Sequence, residues 1–287
     1  MTSLSRSAGF WQSLLACLLL LSTGCRTPRL ALEDRAEAMR LATDLRVSFA
    51  AATGASNRAV MAGSDDGAAA AAAEAREARG AAVAAAEQLR DVLRRLRYTR
   101  DLALLDEATK QVRQYAAFDE EVLALAIEGS NAQAQRLSFT DGRAAADAFV
   151  GAADSLARTN RDLSRVAAQA ARAVREIQAL QAPHIAEPYD AAMDALEVSM
   201  ESSKEAARAA TRTLAAAAAA AERRALEAAL ERFLAVHDRI LRLSRQNSNV
   251  RSLAMALGRN RAMAASCDEQ LRGLASAIAA HEIAATR

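Results

Sequence analysis

The chain has 287 residues, a net charge of +2 and only 3% aromatic residues. Arginines and acids alternate along it, whereas a protein that binds a phosphate backbone needs a basic face, so we expect no nucleic-acid partner. Glycine (11) and proline (3) are scarce, and alanine, the best helix former, dominates runs such as 68–73 and 215–221. The composition therefore predicts an all-α fold, an elongated antiparallel bundle of about five long helices.

The first 24 residues resemble an export signal. Arg6 supplies a positive charge, and the apolar stretch 10–21 is too short, at about 12 residues, to span a bilayer as a helix. Leu21-Ser-Thr-Gly-Cys25 follows and resembles a bacterial lipobox, in which the cysteine receives a lipid and becomes the new N-terminus. Ser22 stands where a lipobox usually has leucine, so the alternative is an ordinary cleaved signal peptide with a chance cysteine.

Cysteine usage is consistent with export. Cys17 would leave with the signal and Cys25 would be acylated, so Cys267 alone remains and no internal disulfide can form. Cys267 lies on an apolar stripe, where it is predicted to be a small buried hydrophobic residue. Arg26 follows the cysteine instead of the aspartate that retains lipoproteins in an inner membrane. The predicted location is the outer membrane, facing the periplasm, with a lipid anchor at Cys25.

Two polar corners interrupt the helical pattern, Ser130-Asn131 and Ser248-Asn249. Sliding the sequence by 118 positions superposes them, and the same shift pairs Tyr115 with Phe233, Val122 with Ile240, Arg143 with Arg261 and Leu156 with Leu274. We interpret this as a duplicated helical hairpin in which each Ser or Asn caps the helix that it begins. The alternative is that any two antiparallel hairpins share such spacing.

Breakers and apolar spacing place the helices. Gly63-Ser-Asp-Asp-Gly67 is predicted to be a loop, the third helix to bend at Asp141-Gly142, and Pro183 and Pro188 to end that helix. A core stripe is expected to continue after the second corner through Val250, Leu253 and Leu257. The predicted helices are 30–62, 68–128, 131–181, 189–246 and 250–284. The predicted parts are a signal peptide (1–24), a lipidated tether (25–29) and two parts of one elongated bundle (30–182 and 183–287).

Both corners resemble a helix-ending pattern of the four-helix-bundle sensor domains of methyl-accepting chemotaxis receptors and their helical bimodular relatives. The similar segments are Val122-Leu-Ala-Leu-Ala-Ile-Glu-Gly-Ser-Asn131 and Ile240-Leu-Arg-Leu-Ser-Arg-Gln-Asn-Ser-Asn249, and the likeness covers about residues 90–285. The chain has no second membrane span and no signalling hairpin after the bundle. The resemblance therefore implies a sensing module alone.

The sequence marks no catalytic or metal site. It has no phosphate-binding glycine loop, no nucleophile elbow and only three histidines, so we expect no enzyme, no metal and no cofactor. His237 falls on an inner helical stripe. A haem held by His237 and a methionine (Met193, Met255 or Met263) is the alternative to a histidine that is simply hydrogen-bonded, with Asp238 or a carbonyl as its partner.

Polar residues near the second corner are the candidate ligand-binding residues: Ser244, Arg245, Asn247, Asn249 and Arg251. In the sensors that the chain resembles, small anions or amino acids bind between helices, often through arginine, whose planar fork suits carboxylates. The alternative is that these side chains only cap helices.

The predicted function is that of an exported lipoprotein acting as a ligand-binding or protein-interaction module. Its partners would be the membrane through the lipid anchor, and beyond it a small anionic ligand, a protein or a second copy of the chain. The alternative, of a different class, is a structural envelope protein whose helical bundle is a spacer and binds no small molecule.

Overall fold

The computed structural model describes residues 28–285, so the predicted signal peptide and Cys25 lie outside the described residues. Within that range the chain forms helices joined by short turns and no strand, which confirms the all-α prediction. The α-helices are α1 (Pro28–Val60), α2 (Asp65–Leu96), α3 (Thr99–Glu128), α4 (Ser130–Leu137), α5 (Arg143–Thr159), α6 (Ser164–Ala186), α7 (Asp190–Ala217), α8 (Ala220–Gln246), α9 (Ser248–Met255) and α10 (Arg261–Ala285).

The described residues form two compact units, each assembled from segments that are not contiguous in sequence. The first unit contains residues 28–53, Arg76–Ala116 and 263–285, and the second contains Gly54–Ala75 and Ala117–Ala262. Because α1, α2 and α3 each contribute to both units, this grouping differs from a division of the chain at residue 182.

The first unit is a bundle of four helical segments from α1, α2, α3 and α10. Its core is aliphatic and alanine-rich, and Phe49 meets Tyr115 edge to face at 5.2 Å between ring centroids. Cys267 is buried in this core, as predicted, and burial raises the pKa of its thiol to about 11. At pH 7 it is therefore a protonated, apolar packing group.

The second unit contains a four-helix bundle of α5, α6, α7 and α8. Its core places Phe149 from α5, Ile177 from α6, Leu214 from α7 and Phe233 from α8 in one buried cluster. The ends of α1, α2 and α3, together with α4 and α9, complete the unit. The sequence shift of 118 positions matches the second half of α1 with the start of α6 (46–60 with 164–178), α2–α3 with α7–α8, and α4–α5 with α9–α10. Each repeat therefore supplies its fourth long helix, α5 or α10, to the bundle built by the three long helices of the other repeat.

Two predicted long helices are each divided in two, which corrects the sequence prediction. The helix predicted over 68–128 breaks at Arg97, which has φ 61°, and the helix predicted over 189–246 breaks after Ala217. At the first break the amide of Arg97 donates to Arg94 O and that of Tyr98 to Leu93 O, the Schellman pattern that satisfies the last carbonyls of a helix. That αL position usually holds glycine, and the second break lies in a run of alanines, so neither break carried the expected sequence signal.

The remaining boundaries differ from the prediction by smaller amounts. The loop predicted over 63–67 ends sooner, because the Ser64 hydroxyl accepts the Gly67 amide and α2 starts at Asp65. The helix predicted over 131–181 is interrupted at Asn160, whose side chain accepts the Asp162 amide. Pro183 does not end α6. It lies in the last turn, where only one helical hydrogen bond is lost, and the helix continues to Ala186.

A π-helical turn follows each of the short helices α4 and α9. The first π-turn is Ser138–Gly142 and the second is Ala256–Asn260, at matching positions of the two repeats. A π-turn adds a residue to one helical turn and so rotates the apolar stripe away from its expected face. Leu257, predicted to be a core residue, lies in the second π-turn and is exposed for this reason. Leu253, also predicted to be a core residue, precedes that turn and is exposed too. The positions buried instead are Ser130, Ala134, Ser138 and Gly142 in one repeat and Ser248, Ser252, Ala256 and Asn260 in the other.

Candidate binding site at the duplicated corner

The two corners are equivalent in backbone geometry. Gly129, between α3 and α4, has φ 58°, and Asn247, between α8 and α9, has φ 53°. Each is a single left-handed residue after which the chain immediately starts a new helix. The corners are therefore true breaks between helices, and they occur at the same offset as the sequence duplication.

The two corners cap one another. The amide of Ser130 donates to Ser248 Oγ at 2.9 Å, and the amide of Ser248 donates to Ser130 Oγ at 3.0 Å. In the same way the amide of Asn131 donates to Asn249 Oδ1 at 3.1 Å, and the amide of Asn249 to Asn131 Oδ1 at 3.2 Å. Ser and Asn do act as caps, but the expectation that each caps its own helix is wrong. Each caps the first turn of the equivalent helix in the other repeat.

Asn131 and Asn247 also hold the corners against the end of α6 and the residue that follows it. Its Nδ2 donates to Ile185 O at 2.7 Å and to Asn247 Oδ1 at 2.8 Å, and Asn247 Nδ2 donates to Glu187 O at 3.1 Å. Asn131 and Asn247 are both buried. A buried polar network whose members are all paired fixes one arrangement of the helices around it.

Ser244 and Arg245, two of the predicted ligand-binding residues, are held by other protein groups. The buried hydroxyl of Ser244 donates to His184 O and lies 2.8 Å from His184 Nδ1. Arg245 pairs with Glu197 at 2.6 Å and with Asp194, and its hydrogen bonds to these carboxylates raise its pKa above the usual value. The same contact with Arg245 lowers the pKa of Glu197. The hydrogen-bonding edge of this guanidinium is thus already occupied by carboxylates.

Of the other predicted residues, Asn247 and Asn249 belong to the corner itself, and Arg251 is exposed on α9 and forms no ion pair within residues 28–285. The structure thus places four of the five side chains at the corner or the α8 end that leads into it. It does not gather their guanidinium groups around a common cavity. Their role in ligand binding stays a prediction.

A concave pocket of about 360 Å³, here called the corner pocket, lies beside the paired asparagines. Its polar lining comes from Asn131, Asn249, Gln135 and Ser138. Its apolar lining includes Ala62, Ala132, Phe139, Ala182, Ile185 and Val250. Sequence reasoning named only Asn249 among these residues for ligand binding. Gln135, Ser138 and Phe139 were missed because the first π-turn, which sets where Ser138 and Phe139 lie, leaves no recognisable pattern in the sequence.

Behind the pocket, Ser138 leads into a buried polar chain. Its hydroxyl donates to Gln181 Oε1 at 2.6 Å, and Gln181 Nε2 lies 3.2 Å from His237 Nδ1. His237 is fully buried, and burial lowers its pKa from 6.5 to about 4, so its ring is neutral at pH 7. The histidine is hydrogen-bonded, as one sequence alternative held, but its partner is Gln181 and not Asp238 or a carbonyl.

The described residues contain no group of three or more His, Cys, Asp or Glu side chains placed to hold a metal ion. Within the same part of the chain, no helix combines the length and hydropathy that crossing a bilayer requires. Comparison with known proteins found no matching family model, no matching curated protein and no matching solved structure.

Proposed function

We propose that this chain is an exported, lipid-anchored protein whose helical bundle is a non-enzymatic binding module, with the corner pocket as its binding site. The observation that carries the proposal is the pocket itself. Its volume of about 360 Å³ lies within the range of small-molecule sites, on the order of 300–1,000 Å³. Like those sites, it joins an apolar wall to a few polar groups.

The cross-capped corner supports the proposal, because it makes a rigid base for the pocket. Asn131 and Asn249 line the pocket and are each held by hydrogen bonds from the opposite repeat. A site whose polar groups are fixed before binding loses less conformational entropy when a ligand arrives. The resemblance to chemoreceptor sensor domains, which bind small molecules between helices, points to the same role.

A thermal-shift screen of metabolites on the chain from residue 26 tests the binding module. A ligand that binds only the folded state stabilises it by RT ln(1 + [L]/Kd), so the melting temperature should rise with ligand concentration beyond Kd. A screen in which no compound shifts the melting temperature would contradict the proposal.

The anchor is tested separately. Cys25→Ala should release the protein from the membrane fraction, and mass spectrometry of the mature protein should find a lipidated Cys25. An unmodified N-terminus at Arg26 or later would show that the lipid anchor does not exist.

A structural spacer is the second candidate, and the lengths of α1, α2 and α3 favour it. These helices have 33, 32 and 30 residues, which corresponds to about 45–50 Å each. Long helices with alanine-rich cores suit a spacer, which holds two parts of the envelope a fixed distance apart. This candidate predicts that no metabolite stabilises the protein, which is the opposite outcome of the same screen.

A further inference from the structure

We infer that the corner pocket takes an uncharged ligand with a flat apolar body and an amide-like edge. The inference rests on the proposed binding function and specifies its ligand class. It differs from the small anion that the family resemblance implies, and the composition of the pocket wall is the reason.

No residue that lines the pocket, all of them within the described range, carries a charge. The nearby guanidinium of Arg136 pairs with Asp65 at 2.6 Å, and that of Arg245 pairs with Glu197. A charged ligand would therefore give up part of its hydration in the pocket without gaining an opposite charge. An uncharged ligand gives up no hydration of a charge when it binds.

The side-chain amides of Asn249 and Gln135 have hydrogen-bonding groups without a protein partner, and these groups can bind an amide of a ligand. Asn249 Oδ1 accepts the amides of Asn131 and Ala132, which fixes the orientation of the side chain, but its Nδ2 has no hydrogen-bond partner among the described residues. The amide of Gln135 likewise has none in residues 28–285, and it offers both a donor and an acceptor. A ligand that carries an acceptor and a donor on one edge satisfies both side chains.

Phe139 supplies the apolar face. It is 62% exposed, whereas six of the eight aromatic residues within residues 28–285 are buried or half-buried. Together with Ile185 and the alanines it makes up most of the apolar lining of the pocket. A flat ring stacked on Phe139 in an offset arrangement would cover that exposed surface.

The duplication supplies a matched control. A shift of 118 positions relates Gln135 to Leu253 and Phe139 to Leu257. Leu257 is 64% exposed, nearly the same as Phe139, and it also lies in a π-turn, but it does not line the pocket. Leu257→Ala and Phe139→Ala thus make the same kind of surface change in equivalent positions, and only one of them touches the pocket.

The experiment uses the full chain and three probes that share a phenyl ring. Acetanilide is uncharged and carries an amide, phenylacetate is an anion and phenethylamine is a cation at pH 7. Titration calorimetry or ligand-observed NMR gives the dissociation constants. We expect acetanilide to bind at least about tenfold more tightly than either charged probe, a difference set by the desolvation of charge.

The variants then locate the binding. Phe139→Ala and Gln135→Leu should each weaken acetanilide by about tenfold, while Leu257→Ala should leave its affinity within about twofold. Both phenylalanine and leucine side chains are exposed, so neither truncation should impair folding, which circular dichroism checks.

Three results would overturn the inference: no binding of acetanilide, equal or tighter binding of a charged probe, or an affinity that Phe139→Ala leaves unchanged. In each case the metabolite screen then tests the proposal that the chain is a binding module. A stabilising ligand found there would keep the binding module and assign it another ligand class or site, whereas its absence would end both.

Discussion

The two corners have the same backbone geometry but not the same side chains. In one repeat the left-handed residue is Gly129, and in the other it is Asn247. Asn247 accepts a hydrogen bond from Asn131 and donates one to Glu187 O, whereas glycine at the equivalent position can do neither. The reciprocal amide–side-chain bonds of the Ser and Asn pairs are common to both corners. The backbone arrangement is thus shared by the two repeats, whereas only the second repeat has a side chain at the left-handed position that can make buried polar contacts.

A second pair of equivalent positions shows the same divergence. Asp119 in α3 and His237 in α8 are both fully buried and lie 118 residues apart. Asp119 accepts hydrogen bonds from Ser56 Oγ at 2.5 Å and from Asn260 Nδ2 at 2.9 Å. His237 contacts Gln181, and its Nε2 has no partner among the described residues. Both repeats have a buried polar side chain at this position, but its chemical type and its partners differ.

The largest expected effect is the dependence of the free energy of unfolding on pH that His237 causes. The pKa of His237 falls from 6.5 to about 4 in the folded protein. Well above pH 6.5 the ring is neutral in both the folded and the unfolded state, so it does not make the stability depend on pH. Below pH 6.5 the unfolded state binds a proton that the folded state does not. Stability should therefore fall as the pH drops from 6.5 to 4, by about 3 kcal/mol in total.

Urea unfolding of the wild type and of His237→Gln between pH 7 and pH 4 measures this. The carboxylates titrate in both proteins, so the difference between the two curves isolates the histidine. That difference should shrink or reverse towards pH 4, because the glutamine variant does not have the penalty. A difference that stays constant across the range would show that His237 is not held neutral by burial.

The next effect compares the two capping asparagines. Asn131→Ala removes the cap of the Asn249 amide and leaves Ile185 O and Asn247 Oδ1 without a donor, so it should cost about 2 kcal/mol. Asn249→Ala removes only the acceptor for two amides at the start of α4, and should cost about 1 kcal/mol. Gln169→Ala, an exposed change on α6, should stay within about 0.5 kcal/mol. Equal costs for the two asparagines would show that the extra contacts of Asn131 do not stabilise the fold.

The smallest effect is expected from making the second corner like the first. Asn247→Gly keeps a residue that tolerates positive φ but removes its hydrogen bonds to Asn131 and Glu187, and should cost about 1 kcal/mol. In that background Asn131→Ala should cost less than in the wild type, because one of its partners is already gone. Chemical denaturation of the two single variants and the double variant measures this coupling. Additive costs would mean that the Asn131–Asn247 contact does not contribute.

The sequence predicted those features of the fold that neighbouring residues mark, and it missed those that they do not mark. The all-α class followed from the scarcity of glycine and proline, and the corners followed from Ser130-Asn131 and its repeat 118 positions on. The break at Arg97 did not, because a Schellman ending usually holds glycine there. The break at Ala218 lies inside an alanine run with no breaker at all. Neither break therefore has a glycine or proline from which the sequence could have predicted it.

The candidate site was harder to predict for two physical reasons. The second π-turn rotates the stripe, so Leu257 is exposed although its spacing predicted a buried face. The caps also act across space. Ser and Asn at a corner do predict a cap, but which helix they cap depends on how closely α4 and α9 approach, and small buried residues such as Ser130 and Ser248 allow that approach.

Amide hydrogen exchange at the two asparagines tests the cross-capped corner most directly. In Asn131→Ala the amide of Asn249 loses its acceptor, whereas the amide of residue 131 keeps Asn249 Oδ1. We therefore expect exchange at Asn249 to accelerate by about tenfold relative to residue 131, and Asn249→Ala to produce the reverse pattern. Faster exchange at the amides two or three residues after the substituted asparagine, with the amide of the equivalent asparagine unchanged, would mean that each asparagine caps its own helix and would contradict the reciprocal arrangement.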